Sequence, residues 1–337
     1  MRRMGIFDLK EAHKNDTPSR RVEKGEKMGS ENKTLRIAEA ARSVFYIPIL
    51  ATVEAGFLEK EGYKGILGPE PGKGADRLKQ LNQGIVDVLG NTPTSSFLWL
   101  EKGVEGDLPW QVATVNHRDG FFLVGRTQEK DFQWKDLEGA ELVTSNFSLQ
   151  PLASLRMCLS GMADVDADKI RIADGYENMA AAAQAFRNGT GDFVHLQEPF
   201  ASALVEEGVG VPAASVGRSL GPLAFSTLAM SRKLVEERTD AAEAFMRAYC
   251  ATLRWLDASA PEEIVSAVSG LFGGTPRNVL VRAVANCKAI GCWQPDPAIS
   301  PEAYERMVDM WIQAGHMKRR YPFEQVVYTD LVENIPK

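Results

Sequence analysis

Long apolar runs, clustered cysteines and an excess of positive charge are all missing from this 337-residue sequence. Before Thr34 no stretch reaches the roughly 7 to 15 apolar residues of a secretory signal, and the longest, Met4 to Phe7, is interrupted by Gly5. The Arg2-Arg3 and Arg20-Arg21 pairs have no apolar region behind them, and no cysteine near the start is placed to carry lipid. The expectation is a cytoplasmic protein, or a periplasmic or extracellular one if the start is misread. Lys, Arg, Glu, Asp, Ser and Asn crowd residues 1–33 with little to bury, so a polar disordered tail is expected there.

The four cysteines, Cys158, Cys250, Cys287 and Cys292, are too few for a disulfide scaffold and form no CxxC pair. They read as buried thiols; the spacing of Cys287 and Cys292 neither requires nor excludes a bridge. The four histidines, His13, His117, His195 and His316, show no HExxH spacing, so no metal site is expected. With 39 Lys and Arg against 45 Asp and Glu, the net charge of -6 offers no basic stripe and excludes nucleic acid as a partner. A composition of 44% hydrophobic residues leaves no surplus for a membrane span. GxSxG and GxGxxG are absent, which removes the commonest hydrolase and dinucleotide signals. Gly68-Pro69-Glu70-Pro71-Gly72-Lys73-Gly74 is one residue short of a phosphate loop, with Gly where Ser or Thr would hold magnesium. No cofactor is expected.

What is present is a β-α rhythm. TLRIAEA alternates like a strand, and IPILATVEAGFLEKEGY has helical spacing closed by glycine. GILGPEP, KGADRLKQLNQG, IVDVLG and NTPTSSFLWLEKG repeat the order. PWQVATVN and DGFFLVGR are successive strands, and the rhythm resumes from AELVTS through DFVHL. From TDAAEAFMRAYCATLRWLDA onward the pattern is helical, a tail expected to pack back on the first lobe. The length exceeds the roughly 250 to 300 residues of one core. Two lobes follow: 34–117 with 226–337, and 118–225, each a doubly wound, mostly parallel α/β sheet.

YIPILATVEAGFLEKEGY after the opening strand, LNQGIVDVLG, WKDLEGAELVTS, FRNGTGDFVHLQEP and SPEAYERMVDMWIQAGHM, in this order, carry a resemblance. The chain resembles the substrate-binding proteins of nitrate, sulfonate, taurine and thiamine-pyrimidine importers, a family that includes thiamine pyrimidine synthases. The resemblance implies a periplasmic-binding-protein type II fold with ligand loops at the carboxyl ends of strands.

Carried over position by position, it selects Arg42, Ser43, Phe45 and Tyr46 after the first strand, where an arginine and two aromatics before a helix suit a flat anion. Asn91, Thr92 and Thr94 offer small side chains and, at the threonines, hydroxyls after a buried strand. In the second lobe Ser145, Asn146, Phe147 and Ser148 lead into a helix, with capping alone a sufficient role for Ser148. Asp174 and Tyr176 follow the next strand, and His195, Gln197 and Glu198 the one after, where Glu198 also reads as a structural carboxylate before Pro199. Asn116, His117 and Arg118 fall at the first crossing between lobes.

Two functions fit. One is a receptor that closes on a small anionic, aromatic or heterocyclic solute and delivers it to an ABC permease. The other is a cytoplasmic enzyme on the same scaffold. A pyrimidine synthase resembling this chain would carry a cysteine-rich run and a histidine after its first strand, where this sequence has ARSVFYIP; the desulfinase cysteine is missing too. An aromatic-acid decarboxylase needs only cations and hydrogen-bond donors, for which Arg42, His117 and Arg118 are the candidates.

Overall fold

The computed structural model describes residues 33–68, 76–104, 106–127, 131–146, 148–162 and 164–335. The expected N-terminal tail, Phe147 and most of the glycine-rich run at 68–74 lie outside them.

Each of the early apolar runs is a strand: β1 (Thr34–Ala38), β2 (Lys64–Leu67), β3 (Val88–Asn91) and β4 (Trp110–Asn116). Between them stand α1 (Ile47–Glu54), α2 (Asp76–Asn82) and α3 (Pro93–Glu101). The chain then crosses to the second lobe, built from β5 (Phe121–Gly125), β6 (Glu141–Ser145), α4 (Leu149–Ser160), β7 (Arg171–Tyr176), α5 (Met179–Arg187), β8 (Phe193–Gln197), α6 (Phe200–Glu206) and β9 (Val211–Ser215). Through α7 (Val216–Leu220) it returns as β10 (Ser226–Met230). The tail contains α8 (Thr239–Ala258), α9 (Arg277–Ala289) and α10 (Pro301–Gln313).

Among the described residues the strands form two five-stranded sheets, ordered β2-β1-β3-β10-β4 and β7-β6-β8-β5-β9. Each sheet is mostly parallel, as expected, with one strand reversed. In the first, β1 pairs parallel with β2 and β3, whereas β10 enters between β3 and β4 antiparallel to both. In the second, β6 pairs parallel with β7 and β8, and β5 runs antiparallel to β8 and β9. The cause is the crossings: β5 and β10 are the strands by which the chain arrives from the other lobe, so each enters its sheet reversed. The carboxyl ends of β1, β3, β6 and β8 consequently face the interlobe space.

The second sheet separates two apolar faces by its period of two. Val124, Val143, Val194 and Leu196 join the large core shared with the first sheet, whereas Leu123 and Leu142 pack with Leu155, Leu159 and Val216. Two glycines permit close approach at the crossings: a Cβ on Gly120 would strike the Phe45 ring, and one on Gly217 the backbone carbonyl of Asp119. The helical tail does not stay on the first lobe. While α8 packs on α1, α9 lies against α6 and α10 against α4. On α9 the residues at helical spacing Asn278, Arg282 and Asn286 meet Glu206, Glu206 again, and Glu198 of the second lobe. Cys158, Cys250, Cys287 and Cys292 are all buried free thiols.

Candidate functional site

A cavity of about 270 Å³ lies between the lobes, about nine water volumes, which suits a small solute. Two helices begin at it. Thr92 caps α3 from lobe one, its side chain accepting from Thr94 N–H; Ser148 caps α4 from lobe two, accepting from Gln150 N–H. Each helix start concentrates unsatisfied N–H groups and a partial positive charge. Arg77, from α2, also lines the cavity, as do Tyr46, Asn146, Gln197 and Ser226. The described lining residues include no carboxylate. Phe121, Phe225 and Trp311 supply apolar walls, and the buried Nε1–H of Trp311 has no acceptor among the described residues.

Hydrogen bonds cross the space. Gln150, at the start of α4, accepts from Thr92 Oγ1 at 2.6 Å and Thr94 Oγ1 at 3.2 Å, and donates to Phe225 O at 2.6 Å. Ser43 Oγ donates to Gln197 Oε1 at 3.2 Å. That contact engages the Gln197 oxygen and leaves its –NH2 group as the donor at the cavity. Asn116 acts one step back: its Nδ2 donates to Ser226 Oγ at 2.5 Å while its Oδ1 accepts from Trp293 Nε1 at 3.1 Å. Burial pushes the Tyr46 hydroxyl up to about 12, against the pull of Arg77 and of Ser226. It stays a neutral phenol.

Of the sequence-selected residues, the structure brings Tyr46, Thr92, Thr94, Asn146, Ser148 and Gln197 to the cavity. Ser43 and Asn116 stand directly behind it. The others lie elsewhere. Arg42 pairs with the buried Glu39 at 2.6 Å, and Arg118 donates to Gly217 O at 3.1 Å. Phe45 is core, edge-on to Tyr46 and Phe225. Asn91 holds Ser95 Oγ at 2.9 Å beneath α3. His117 is largely buried, its N–H bonded to Cys292 O, and burial lowers its pKa to about 4. The His195 ring packs at a tilt on Phe121, centroids 4.7 Å apart, and burial lowers its pKa to about 3. Both rings are neutral at pH 7.

Ser145 ends β6 outside the lining, opposite Tyr176 on the edge strand β7. Tyr176 contributes its carbonyl to Asn146 N–H at 2.7 Å, and Asp174 is exposed. Phe147 falls outside the described residues. Glu198 lies in the turn just after β8, outside the cavity lining; it accepts from Ser202 and from Asn286 of α9. The proposed catalytic set Arg42, His117 and Arg118 therefore does not converge on the cavity.

Sequence reasoning missed Arg77, Ser226, Phe121, Phe225 and Trp311. Ser226 had a local signal, a hydroxyl on the returning strand LAFSTL. Trp311 had none, since it belongs to an amphipathic helix more than 200 residues from Thr92 in sequence. Among the described residues no group of three or more His, Cys, Asp or Glu is placed to hold a metal, and no helix is long and apolar enough to cross a membrane.

Comparison with known proteins agrees with this architecture. Of curated proteins, "Putative binding protein YtlA" of Bacillus subtilis (strain 168) is 25% identical over 304 residues, 89% of each chain. The zinc-bound ligand-binding component of an ABC-type import system from Staphylococcus aureus superposes with a TM-score of 0.69 at 17% identity, over 90% of this chain and 98% of that one. The periplasmic aliphatic sulphonate binding protein SsuA of Escherichia coli gives 0.67 at 16%, over 90% and 99%. These likenesses show the fold, the two-lobed periplasmic-binding-protein type II architecture. A family model matches residues 29–269, and the chain belongs to the NMT1-like family.

Proposed function

We propose that this protein is the solute-binding component of an ABC-type importer and captures a small anion between its lobes. The observation that carries the reading is the convergence of the α3 and α4 N-termini with Arg77 on one cavity whose described lining has no carboxylate. Helix N-termini and a guanidinium are complementary to a compact anion, and the hydroxyls and amides around them give it orientation. Sulphonate is named for the E. coli neighbour, and the same anion class fits this cavity. The apolar wall of Phe121, Phe225 and Trp311 favours an anion with an organic substituent.

The importer reading also follows from the bridge. A solute touching both caps takes over the Thr92 and Thr94 donors that Gln150 holds, and it can stabilise the closed lobes only through contacts to both. A permease would then read the closed state. The role requires the outer side of the cytoplasmic membrane, so this reading takes the periplasmic or extracellular alternative. An enzyme is the weaker reading, because the residues chosen for catalysis stand apart from the cavity.

The test is a panel of sulfonates, aromatic carboxylates, pyrimidines and inorganic anions, scored by thermal stabilisation and by the mass of the recovered compound. An anion that stabilises and returns unchanged is expected. Return of a lighter, decarboxylated compound would overturn the receptor reading.

A further inference from the structure

Asp119 stands on the first crossing, two residues before Phe121. Its side chain is fully buried. One carboxyl oxygen accepts from Phe121 N–H at 2.6 Å, and the other is in a short hydrogen bond with Ser154 Oγ on α4. Both partners lead to the cavity, since Phe121 lines it and Ser154 Oγ also lies 3.1 Å from the carbonyl of Pro151, another lining residue.

The Ser154 hydroxyl has one proton and two acceptors in reach. With Asp119 ionised, Ser154 donates to it. With Asp119 protonated, the carboxyl O–H donates to Ser154 Oγ, and the Ser154 proton turns to Pro151 O. Either state satisfies the group without moving a heavy atom.

The surroundings leave Asp119 to titrate alone. On α4, Cys158 faces it, and burial, then Asp119 itself, pushes that thiol up to about 12. From β8, His195 is neutral behind Phe121, and His117 on the same crossing is neutral too. Gly217 is what α7 presents. The nearby cations are directed elsewhere: Arg118 to Gly217 O and Arg218 to Ala289 O. Burial pushes the Asp119 carboxyl up to about 7, against its two hydrogen bonds.

We propose that Asp119 is a proton-coupled positioning residue, taking up a proton when an anion occupies the cavity at the start of α4. This deepens the anion reading of the cavity and rests on it. A carboxylate and an anion separated by Phe121 and the first turns of α4 repel through a medium of low dielectric constant. Protonation removes the repulsion, and linkage makes the effect mutual: the anion favours the proton and the proton the anion. Affinity is therefore highest where Asp119 is protonated and falls as pH rises through its range.

The experiment titrates the full-length protein with ethanesulfonate, nitrate and sulfate in turn, in weakly buffered solution free of sulfonate buffers, counting protons taken up per anion bound. A fraction of one proton per anion near neutrality is expected, with affinity falling about tenfold between about pH 6 and about pH 9 if the anion shifts the carboxyl by one unit. Asp119→Asn keeps the hydrogen bonds of the protonated form, and it should bind with flat pH dependence and no proton uptake. Wild-type binding without proton uptake would overturn the proposal while leaving the anion site intact. Binding of none of the three anions would overturn the anion reading and this proposal with it. The wild-type measurement decides even if the variant does not fold.

Discussion

Thr92 Oγ1, at the head of α3 in lobe one, donates across the interlobe space to Gln150 Oε1 in lobe two at 2.6 Å. Thr94 Oγ1 approaches the same oxygen at 3.2 Å. One side-chain amide oxygen thus occupies donors that a ligand oxygen would use, while its –NH2 group is anchored on Phe225 O.

Gln150→Glu should therefore weaken anion binding by more than about tenfold, because a fixed carboxylate competes for the same hydroxyls and loses its donor to Phe225. Gln150→Ala should free the threonines and loosen the closed lobes, seen as a larger radius of gyration in solution scattering. Wild-type affinity in both variants would remove Gln150 from the site.

Two arginines separate site from scaffold. Arg77→Ala is expected to lower anion affinity about tenfold or more, on the scale of a lost charge-assisted hydrogen bond. Arg42→Ala should leave affinity within about twofold and lower stability by about 1 to 3 kcal/mol, since it removes the 2.6 Å partner of the buried Glu39. Calorimetric titration and denaturant unfolding of the two variants check the assignment; the reverse pattern contradicts it.

Glu198 is expected to matter for folding and not for ligand contact. Its carboxyl ties Ser202 of α6 to Asn286 of α9. Glu198→Ala should cost about 2 to 4 kcal/mol in denaturant unfolding, from three lost hydrogen bonds and the space left behind. A stable variant that no longer binds anion would instead place Glu198 in the site.

Acid stability depends on buried groups of opposite sign. Burial holds His117 near 4 and His195 near 3, so each takes up a proton on unfolding as pH falls below about 6.5. Each costs about 1.4 kcal/mol per pH unit in that window. Asp119 has the opposite sign: raised to about 7, it contributes stability that is present below about pH 4 and lost as pH rises through 7. Each histidine adds a slope of about one proton that lowers stability on acidification from about pH 6.5 to about pH 4, opposed by Asp119 and by Glu198, whose carboxyl is also raised by burial. His195→Gln should flatten that slope by one proton in denaturant midpoints taken across the range; an unchanged slope would contradict the buried, neutral state of His195.

The elements were legible because their signals are local: alternation in TLRIA, helical spacing in TDAAEAFMRAYC, and caps at Thr92 and Ser148. Tyr46, Thr92, Thr94, Asn146, Ser148 and Gln197 were reachable for the same reason, as residues next to the ends of strands. The direction of a side chain was not. Gln197, the last residue of β8, lines the cavity while the adjacent Glu198 turns toward α6 and α9, and Arg42 and Arg77 exchange roles because Glu39 turns Arg42 into a structural cation. Trp311 reaches the cavity only through the packing of α10 on α3 and α4, which no local pattern records. The antiparallel entry of β5 and β10 is likewise a property of the crossings, not of either strand.

The central claim is capture of a small anion between the α3 and α4 N-termini. The most direct measurement is a crystal structure of the protein equilibrated with the anion that stabilises it most. The account predicts the anion between Thr92 and Ser148, within hydrogen-bond distance of Arg77. An anion bound outside this cavity, with the Thr92–Gln150 bridge intact and Arg77 uninvolved, would contradict it.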